Sequence, residues 1–400
     1  MTSKSTKKLS LFKKKGWILI AVGIFIRLFF YVSATKTHTL NQFFLPVTRG
    51  QDFFQIPNGA YSFIRGGDLQ GKIGNKKNLY TSCCGVNDNV YHPFFTLLVG
   101  LPLQLLKPWV AFNLWLFFHF ASDILVTFFL IRNFRYHPLL PTAIFTFLAS
   151  NFGYYEILNN QYHFLLNLFV LLLVYELSIH GDSLGAGFYY FLTLLVKPVG
   201  LLFLPILIIK KSFKAAGWGL GLFLIISLIF WLIPEGKYYF SNLSSTISSN
   251  YSDWDIFHVL HYFLKIDLKN ALEIKIFLAV ILLLLNLSKR IKVFTAIFCF
   301  TLYQLIFYQS TFPYHHSILA SLLAIGILLG EIKLGVAQKI AIFLITIPAP
   351  LFLDRLIVTS NPLEAKALIF LSWSYTGEIL LLAVTLITAL RFIRPITRNV

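Results

Sequence analysis

Long apolar runs recur along the whole chain, and they constrain its fold more than any other feature. They lie at residues 17–34, 94–106, 109–131, 138–152, 162–179, 184–209, 215–233, 271–287, 293–309, 316–330, 336–353 and 366–390. A helix that crosses a bilayer needs about 20 mostly apolar residues, and many of the runs approach that length. The pattern therefore predicts an all-α polytopic membrane protein with about 12 transmembrane helices.

The composition agrees with this prediction. Only 12% of the 400 residues are charged, and the mean hydropathy is +0.73. A soluble domain carries about 25% charged residues, so most of this chain does not face water. We therefore predict one transmembrane domain over residues 17–391, located in the cell membrane, with no soluble catalytic domain.

The net charge of +18 would suggest nucleic-acid binding in a soluble protein. Here the basic residues lie mostly in short loops and at the chain ends, where they set topology and contact anionic lipid. We therefore expect membrane lipids, and no nucleic acid, among the partners of a monomeric protein.

Basic residues at both termini predict that residues 1–16 and 392–400 are cytoplasmic. Extracytoplasmic loops are then expected at 35–91 and 234–270. Strict alternation of the runs, however, puts Arg132 and Arg135 outside, against the positive-inside rule. The arrangement that we favour keeps both arginines cytoplasmic and puts 159–161 outside. It divides the run 184–209 into two half-helices that dip in and return.

Lys197 and Asp52 are ionisable residues in positions that suggest chemistry. Lys197 interrupts an apolar run directly before Pro198, and a cation at a helix break suits a phosphate. The alternative is a lysine that snorkels from a span end. Asp52 follows the first apolar run, where a carboxylate can act as general base toward a hydroxyl. The alternative is a solvated loop acid or a helix cap.

His315 and His316 open a late apolar run on the predicted outer side. Histidine there could bind a phosphate, relay a proton or bind a metal. Adjacent residues on a helix point about 100° apart, so we expect one of the two to be functional and the other structural. The alternative is a pair of interfacial histidines.

Three further polar residues, and two buried acids, are candidates of a weaker kind. Asn160 and Gln161 precede an apolar run, where amides bind sugar hydroxyls or cap a helix. His92 precedes the run at 94–106. Asp123 and Glu378 interrupt apolar runs, and we expect each to make a polar contact inside the bundle.

Taken in order, these features form a familiar series: Asp52, Tyr91-His92-Pro93, Asn160-Gln161, Lys197-Pro198 and Tyr314-His315-His316. The series resembles that of the polyprenyl-phosphate-dependent glycosyltransferases of the GT-C superfamily, most of all glycosyltransferase family 87, also called DUF2029. Two elements depart from the usual pattern, because Gly-Gln reads Asn160-Gln161 and Tyr-Pro-Pro reads Tyr91-His92-Pro93.

The resemblance implies a GT-C-type bundle with its active site on the extracytoplasmic face. The donor would be a hexose, by analogy mannose, linked to polyprenyl phosphate, and the acceptor a lipid-linked or glycan hydroxyl. Asp52 would deprotonate the acceptor, one of the two histidines would stabilise the leaving phosphate, and displacement would invert the anomeric carbon. The donor phosphate would contact Lys197 and Tyr314. The resemblance assigns the remaining substrate contacts to Gln51, Tyr91, His92, Asn160 and Gln161.

No cofactor or metal is expected, because the leaving phosphate already carries its negative charge. Two other activities share the span count and the buried lysine: a transporter or flippase of lipid-linked sugars, and a polymerase or ligase of surface polysaccharide. A non-catalytic membrane scaffold is a third possibility, but it would not need Asp52 and Lys197 on one face. Convergence of Asp52, Lys197 and a histidine on one cavity would favour the transferase.

Overall fold

The computed structural model describes residues 3–37, 39–40, 53–64, 91–233, 256–265, 271–307, 313–357 and 362–391. Every regular element in these ranges is helical. The α-helices are α1 (Ser3–Val32), α2 (Gln55–Ile64), α3 (Pro93–Gln104), α4 (Pro108–Phe134), α5 (Leu140–Ala149), α6 (Phe152–Asn159), α7 (His163–Ile179), α8 (Leu184–Val196), α9 (Leu204–Ile209), α10 (Phe213–Trp231), α11 (Ile256–Leu264), α12 (Ala271–Asn286), α13 (Val293–Phe307), α14 (Ile318–Leu328), α15 (Val336–Thr346) and α16 (Pro362–Arg391). A π-helical turn extends α1 over Ser33–Thr37, and 3₁₀ turns cover Pro198–Phe203, Pro313–Ser317 and Leu351–Leu356.

Four helices in the described part of the chain are long and apolar enough to cross a membrane. They cover Gly16–Thr37, Pro108–Phe134, Phe213–Trp231 and Glu364–Ala389. Large apolar side chains on these helices stay exposed in the folded chain, among them Phe25, Phe117 and Ile225. An exposed apolar surface of this extent is what lipid contact requires. The shorter apolar helices pack between the long ones, and the chain is a helical membrane protein.

The helix ends form two groups, one of which is rich in basic residues. This group, which we call the basic end, contains the loops 132–141, 180–184, 210–214, 286–292 and 331–336. Asp182 accepts hydrogen bonds from the backbone N–H groups of Lys214 and Ala215, at 2.9 and 2.8 Å. Lys210 Nζ donates to the carbonyl of Asn286 at 2.7 Å. These contacts tie the successive loops to one another.

The other group of helix ends, the site end, brings together the chain near residues 53, 91, 112, 160, 197 and 315. At this end α4 begins beside the segment that precedes α2, where the Phe54 and Trp109 rings lie 6.3 Å apart. The preceding helix, α3, has only 12 residues, about 18 Å of helix. It packs against α2, and Gln104 Nε2 donates to the carbonyl of Pro57. The run at 94–106, predicted as a crossing, therefore starts and finishes at the site end.

Three of the predicted runs are interrupted in the structure, and in the run at 336–353 the helix ends at Thr346, before a 3₁₀ turn that begins at Leu351. The run at 138–152 becomes α5 and α6, which are separated at Ser150 and Asn151 and together reach Asn159. The Asn151 N–H donates to the carbonyl of Thr346 at 3.1 Å, next to the end of α15. The run at 184–209 breaks at Lys197, and its second half returns as the 3₁₀ turn and α9. The favoured sequence interpretation had divided this run at the same residue.

A buried ion pair lies inside the bundle, between α1 and α4. Arg27 donates from Nε and Nη2 to the two carboxylate oxygens of Asp123, at 2.7 and 2.8 Å. Tyr31 donates its hydroxyl to the same carboxylate at 3.0 Å. Both charged residues are only 5% exposed, so removing one partner would leave a buried charge and cost about 3–5 kcal/mol. Asp123 thus makes the interior polar contact that its position suggested.

Candidate functional site

Lys197 lies at the break between two helical segments. Proline disfavours helical geometry in the residue before it, and Lys197 is extended there, with φ −149° and ψ 136°. Its Nζ lies 2.9 Å from Nε2 of His315. Because an ammonium group can only donate, Nε2 accepts, and the ring proton of a neutral His315 is on Nδ1. The break therefore sets a lysine and a histidine side by side at the site end.

Aromatic rings enclose the Lys197 ammonium group. Its Nζ lies 5.9 Å from the centre of the Tyr91 ring and 5.8 Å from that of Tyr314, both within the range of a cation–π contact. The Tyr314 ring also packs edge-on against His315, with the ring centres 4.6 Å apart. Tyr91 and Tyr314 are both buried. The two rings shield the cation from water and strengthen its attraction for an anion.

The two adjacent histidines point to different parts of the molecule. His315 contacts Lys197, whereas Nδ1 of His316 shares a hydrogen bond with Oε1 of Glu378. The His316 ring stacks on Phe152 at 4.9 Å and is fully buried. Of the pair, His315 is therefore the residue at the lysine site. Glu378 makes the interior polar contact expected of it.

Tyr91 and Gln161, two predicted substrate contacts, bond to each other. The Tyr91 hydroxyl donates to Oε1 of Gln161 at 2.9 Å. The next residue, Tyr162, packs on Tyr91 with ring centres 5.2 Å apart and donates its hydroxyl to the carbonyl of Phe53 at 2.8 Å. The structure thus joins the Tyr91, Gln161 and Lys197 elements in one cluster, and it brings Phe53 to the edge of that cluster.

Asp52 and Gln51, the predicted base and a predicted substrate contact, lie outside the described residues. Phe53 follows Asp52 directly, and consecutive Cα atoms are about 3.8 Å apart. Phe53 is fully buried, and its ring stacks on Tyr162 with centres 6.2 Å apart. The chain therefore passes the site end one residue after the predicted base.

Asn160 and His92 have local structural contacts. Asn160 ends α6 in the left-handed conformation, with φ 49°, and its Nδ2 donates to the carbonyl of Phe112 at 3.0 Å. This geometry favours the helix-cap alternative for Asn160.

His92 caps α3, because its Nδ1 accepts from the N–H of Phe94 at 3.2 Å. Burial lowers the pKa of His92 to about 4, so the ring is neutral at physiological pH. Its proton is then on Nε2, which lies 3.0 Å from the Ser227 hydroxyl. The described contacts of His92 are those of a helix cap.

His163 is a site residue that the sequence interpretation missed. It begins α7 and is 2% exposed, and its ring centre lies 4.7 Å from that of His315 and 5.2 Å from that of Tyr314. Within the described part of the chain, neither ring nitrogen has a hydrogen-bond partner. A buried imidazole without a partner is uncommon. Its position two residues after Gln161 was the signal available in the sequence.

The cluster of Lys197, His315 and His163 has the composition of an anion site. It combines one cation with two imidazoles that can donate hydrogen bonds, and the N-terminal end of α7 adds a favourable dipole. Within the described part of the chain, no group of three metal-ligating side chains that could hold a metal ion occurs. The arrangement suits a phosphate, and it leaves Tyr91 and Gln161 beside it for hydroxyl contacts.

A comparison with protein-family models identifies the family of the chain over a region that contains most of these site residues. The model for glycosyltransferase family 87 matches residues 89–302, more than half of the 400-residue chain. The matched region contains Tyr91, Gln161, His163 and Lys197, and it ends before His315. No curated protein matches the sequence.

Proposed function

Because the chain belongs to glycosyltransferase family 87, and is therefore a membrane glycosyltransferase, we propose that its donor is a sugar linked to polyprenyl phosphate. The sugar is a hexose, by analogy mannose, and it passes to a hydroxyl of a lipid-linked or glycan acceptor. The contact of 2.9 Å between Lys197 and His315 carries this proposal. It makes an anion site at a helix break, between helices that lie among lipid.

The proposed topology puts the basic end in the cytoplasm and the site end on the extracytoplasmic face. The lysines and arginines of the loops at the basic end support this orientation. In this topology the chain passes between the two ends about 12 times. Here α5 and α6 together make one pass, and each half of the run at 184–209 makes one pass. Both termini are then cytoplasmic. A donor with a lipid tail reaches the site end from within the bilayer.

In the proposed reaction, Lys197 and His315 hold the donor phosphate, with His163 and Tyr314 beside them. Their charge and hydrogen bonds stabilise the phosphate as it takes the electron pair of the breaking glycosidic bond. Lys197 and His315 already contact each other in the structure, and groups preorganised in this way need little reorganisation during the step.

We propose Asp52 as the general base. It accepts the proton of the acceptor hydroxyl while the hydroxyl oxygen attacks the anomeric carbon. A direct displacement of this kind inverts the anomeric configuration. The support for Asp52 is the hydrogen bond from Tyr162 to its neighbour Phe53, together with the edge-on packing of Tyr162 against Tyr91. Tyr91 and Gln161 then lie where sugar hydroxyls are bound.

The experiment that tests this function uses membranes that contain the full chain and a polyprenyl-phosphate sugar with a labelled hexose. We expect label in a new glycosidic product with wild-type protein, and none with Asp52→Asn or His315→Ala. His180→Ala, at the basic end where the side chain is 55% exposed, is the matched control and should keep transfer. Transfer that survives in both site variants would contradict the assignment. Movement of the intact labelled lipid across the membrane, with no new linkage, would favour a flippase.

A further inference from the structure

The turn Pro313–Ser317, which carries His315, is held by its last three residues in succession. His315 contacts Lys197 on one side, and the neighbouring His316 contacts Glu378 of α16. Ser317 accepts a hydrogen bond from Nδ2 of Asn167, in α7, at 2.9 Å. Three consecutive residues therefore reach three different elements of the bundle.

The geometry of a 3₁₀ turn explains how these three contacts fix the orientation of the turn. With three residues in each turn, consecutive side chains point about 120° apart. Contacts at His315, His316 and Ser317 therefore hold the turn from three directions and prevent its rotation about its own axis. A rotation would move the His315 ring away from Lys197.

Glu378 is the first of two buried carboxylates that support this turn. Glu378 and His316 are both 0% exposed, and the His316 ring is further enclosed by Phe152 and Tyr375, with ring centres 4.9 and 6.2 Å away. A carboxylate at this depth of a membrane bundle is costly unless it has a hydrogen-bonding or charged partner. In this structure His316 forms a hydrogen bond with it.

Glu156, in α6, is the second carboxylate. It is 2% exposed, and its Oε2 accepts from Nδ2 of Asn167 at 3.2 Å. The same Nδ2 donates to the Ser317 hydroxyl at 2.9 Å. Asn167 therefore links the Glu156 carboxylate to the residue that ends the turn.

We infer that Glu378 and Glu156 are positioning residues that hold His315 beside Lys197, the first through His316 and the second through Asn167 and Ser317. The inference rests on the proposed function, because it treats the contact between His315 and Lys197 as the donor phosphate site. Neither carboxylate touches the substrate in this assignment. The C-terminal helix α16, which lies beyond the matched family region, is thereby part of the site's support.

The first test compares transfer kinetics in purified full-length protein with a polyprenyl-phosphate sugar as donor. Glu378→Leu removes the support, and Glu378→Gln keeps a hydrogen-bonding group of the same size. We expect Glu378→Leu to lower kcat/KM for the donor by about 10- to 100-fold, the range seen when outer partners of metal-bound histidines are removed. Glu378→Gln should recover most of the activity.

Leu323→Ala is the matched control, because Leu323 is fully buried in α14, directly after the turn, and makes no polar contact. It destabilises the helix that follows the turn without removing any of the polar contacts that hold His315. Its kcat/KM for each folded molecule should stay near that of the wild type. Equal kinetic losses in Leu323→Ala and Glu378→Leu would overturn the inference. If Glu378→Leu does not fold, His316→Gln, which breaks the contact with Glu378 by a smaller change, takes its place. Ser317→Ala tests the second support, and full activity there would contradict the role of Glu156.

The second test does not depend on activity. The ¹⁵N resonances of the histidine rings are recorded in detergent micelles and assigned with His315→Gln and His316→Gln. We expect Glu378→Leu to shift the ring signals of both His316 and His315. A shift confined to His316 would overturn the positioning role. If no lipid donor is used even by the wild type, the proposed function fails, and this spectrum still decides whether Glu378 positions His315.

Discussion

The replacement Lys197→Met removes the cation from the anion site and has the most direct quantitative consequence. A lysine ammonium about 4 Å from one phosphate charge contributes about 4 kcal/mol at an effective dielectric constant of about 20. Lys197 is half-buried. Solvent screening of its exposed part sets a lower bound of about 2 kcal/mol for this contribution. One decade of rate corresponds to about 1.4 kcal/mol. We therefore expect kcat/KM for the donor to fall by about 30- to 1,000-fold.

The assay for this variant follows the transfer of labelled sugar at a series of donor concentrations in purified protein. Unfolding temperatures in the same detergent separate a loss of folding from a loss of donor binding. Lys292→Met is the matched control, because this side chain is 71% exposed at the basic end and its pair with Glu331 should contribute only about 0–1 kcal/mol. If Lys197→Met keeps kcat/KM within about threefold of the wild type while remaining folded, the electrostatic reasoning is refuted.

Three further outcomes are expected. Gly153→Ala puts a methyl group onto the Arg27 guanidinium, and it should cost about 3–5 kcal/mol of stability because it disturbs the buried pair of Arg27 with Asp123. The control is Gly217→Ala, whose added methyl group meets open space. Equal unfolding temperatures of the two variants would contradict the packing. Tyr91→Phe removes the hydrogen bond to Gln161 and should lower kcat/KM by about fivefold, for a loss of about 1 kcal/mol; an unchanged value would mean that the bond does not hold the site. Transfer should continue in excess chelator, and its loss there would show a metal requirement.

The helical class and the break at Lys197 could be predicted because each depends on a local signal. Apolar runs indicate helices that avoid water, and Pro198 restricts the residue before it. The run at 94–106 misled the prediction, since apolarity alone does not distinguish a crossing from α3, which is covered by α2. That outcome depends on a tertiary contact, which no local pattern contains.

Most residues of the candidate site could be predicted from the sequence, but the contacts between them could not. His315 and His316 are adjacent, and their different roles are set by Lys197, 118 residues away from the first, and by Glu378, 62 residues away from the second. Asp123 likewise gains its partner from a helix 96 residues earlier. Partners this distant along the chain leave no periodic signal in the sequence.

His163 was missed for a related reason. In the sequence it is a single histidine at the start of an apolar run, which is the usual appearance of a helix end at a membrane interface. Only the folded chain shows that its ring is buried beside His315 and Tyr314. Its importance comes from the residues that surround it.

The most direct test of the account is the choice of donor by the purified protein. The full-length chain is given, in separate reactions, a hexose linked to polyprenyl phosphate and the same labelled hexose linked to a nucleotide, together with a lipid-linked acceptor. We expect transfer from the lipid donor alone, with inversion at the anomeric carbon in the product. Transfer from the nucleotide sugar with none from the lipid donor would contradict it.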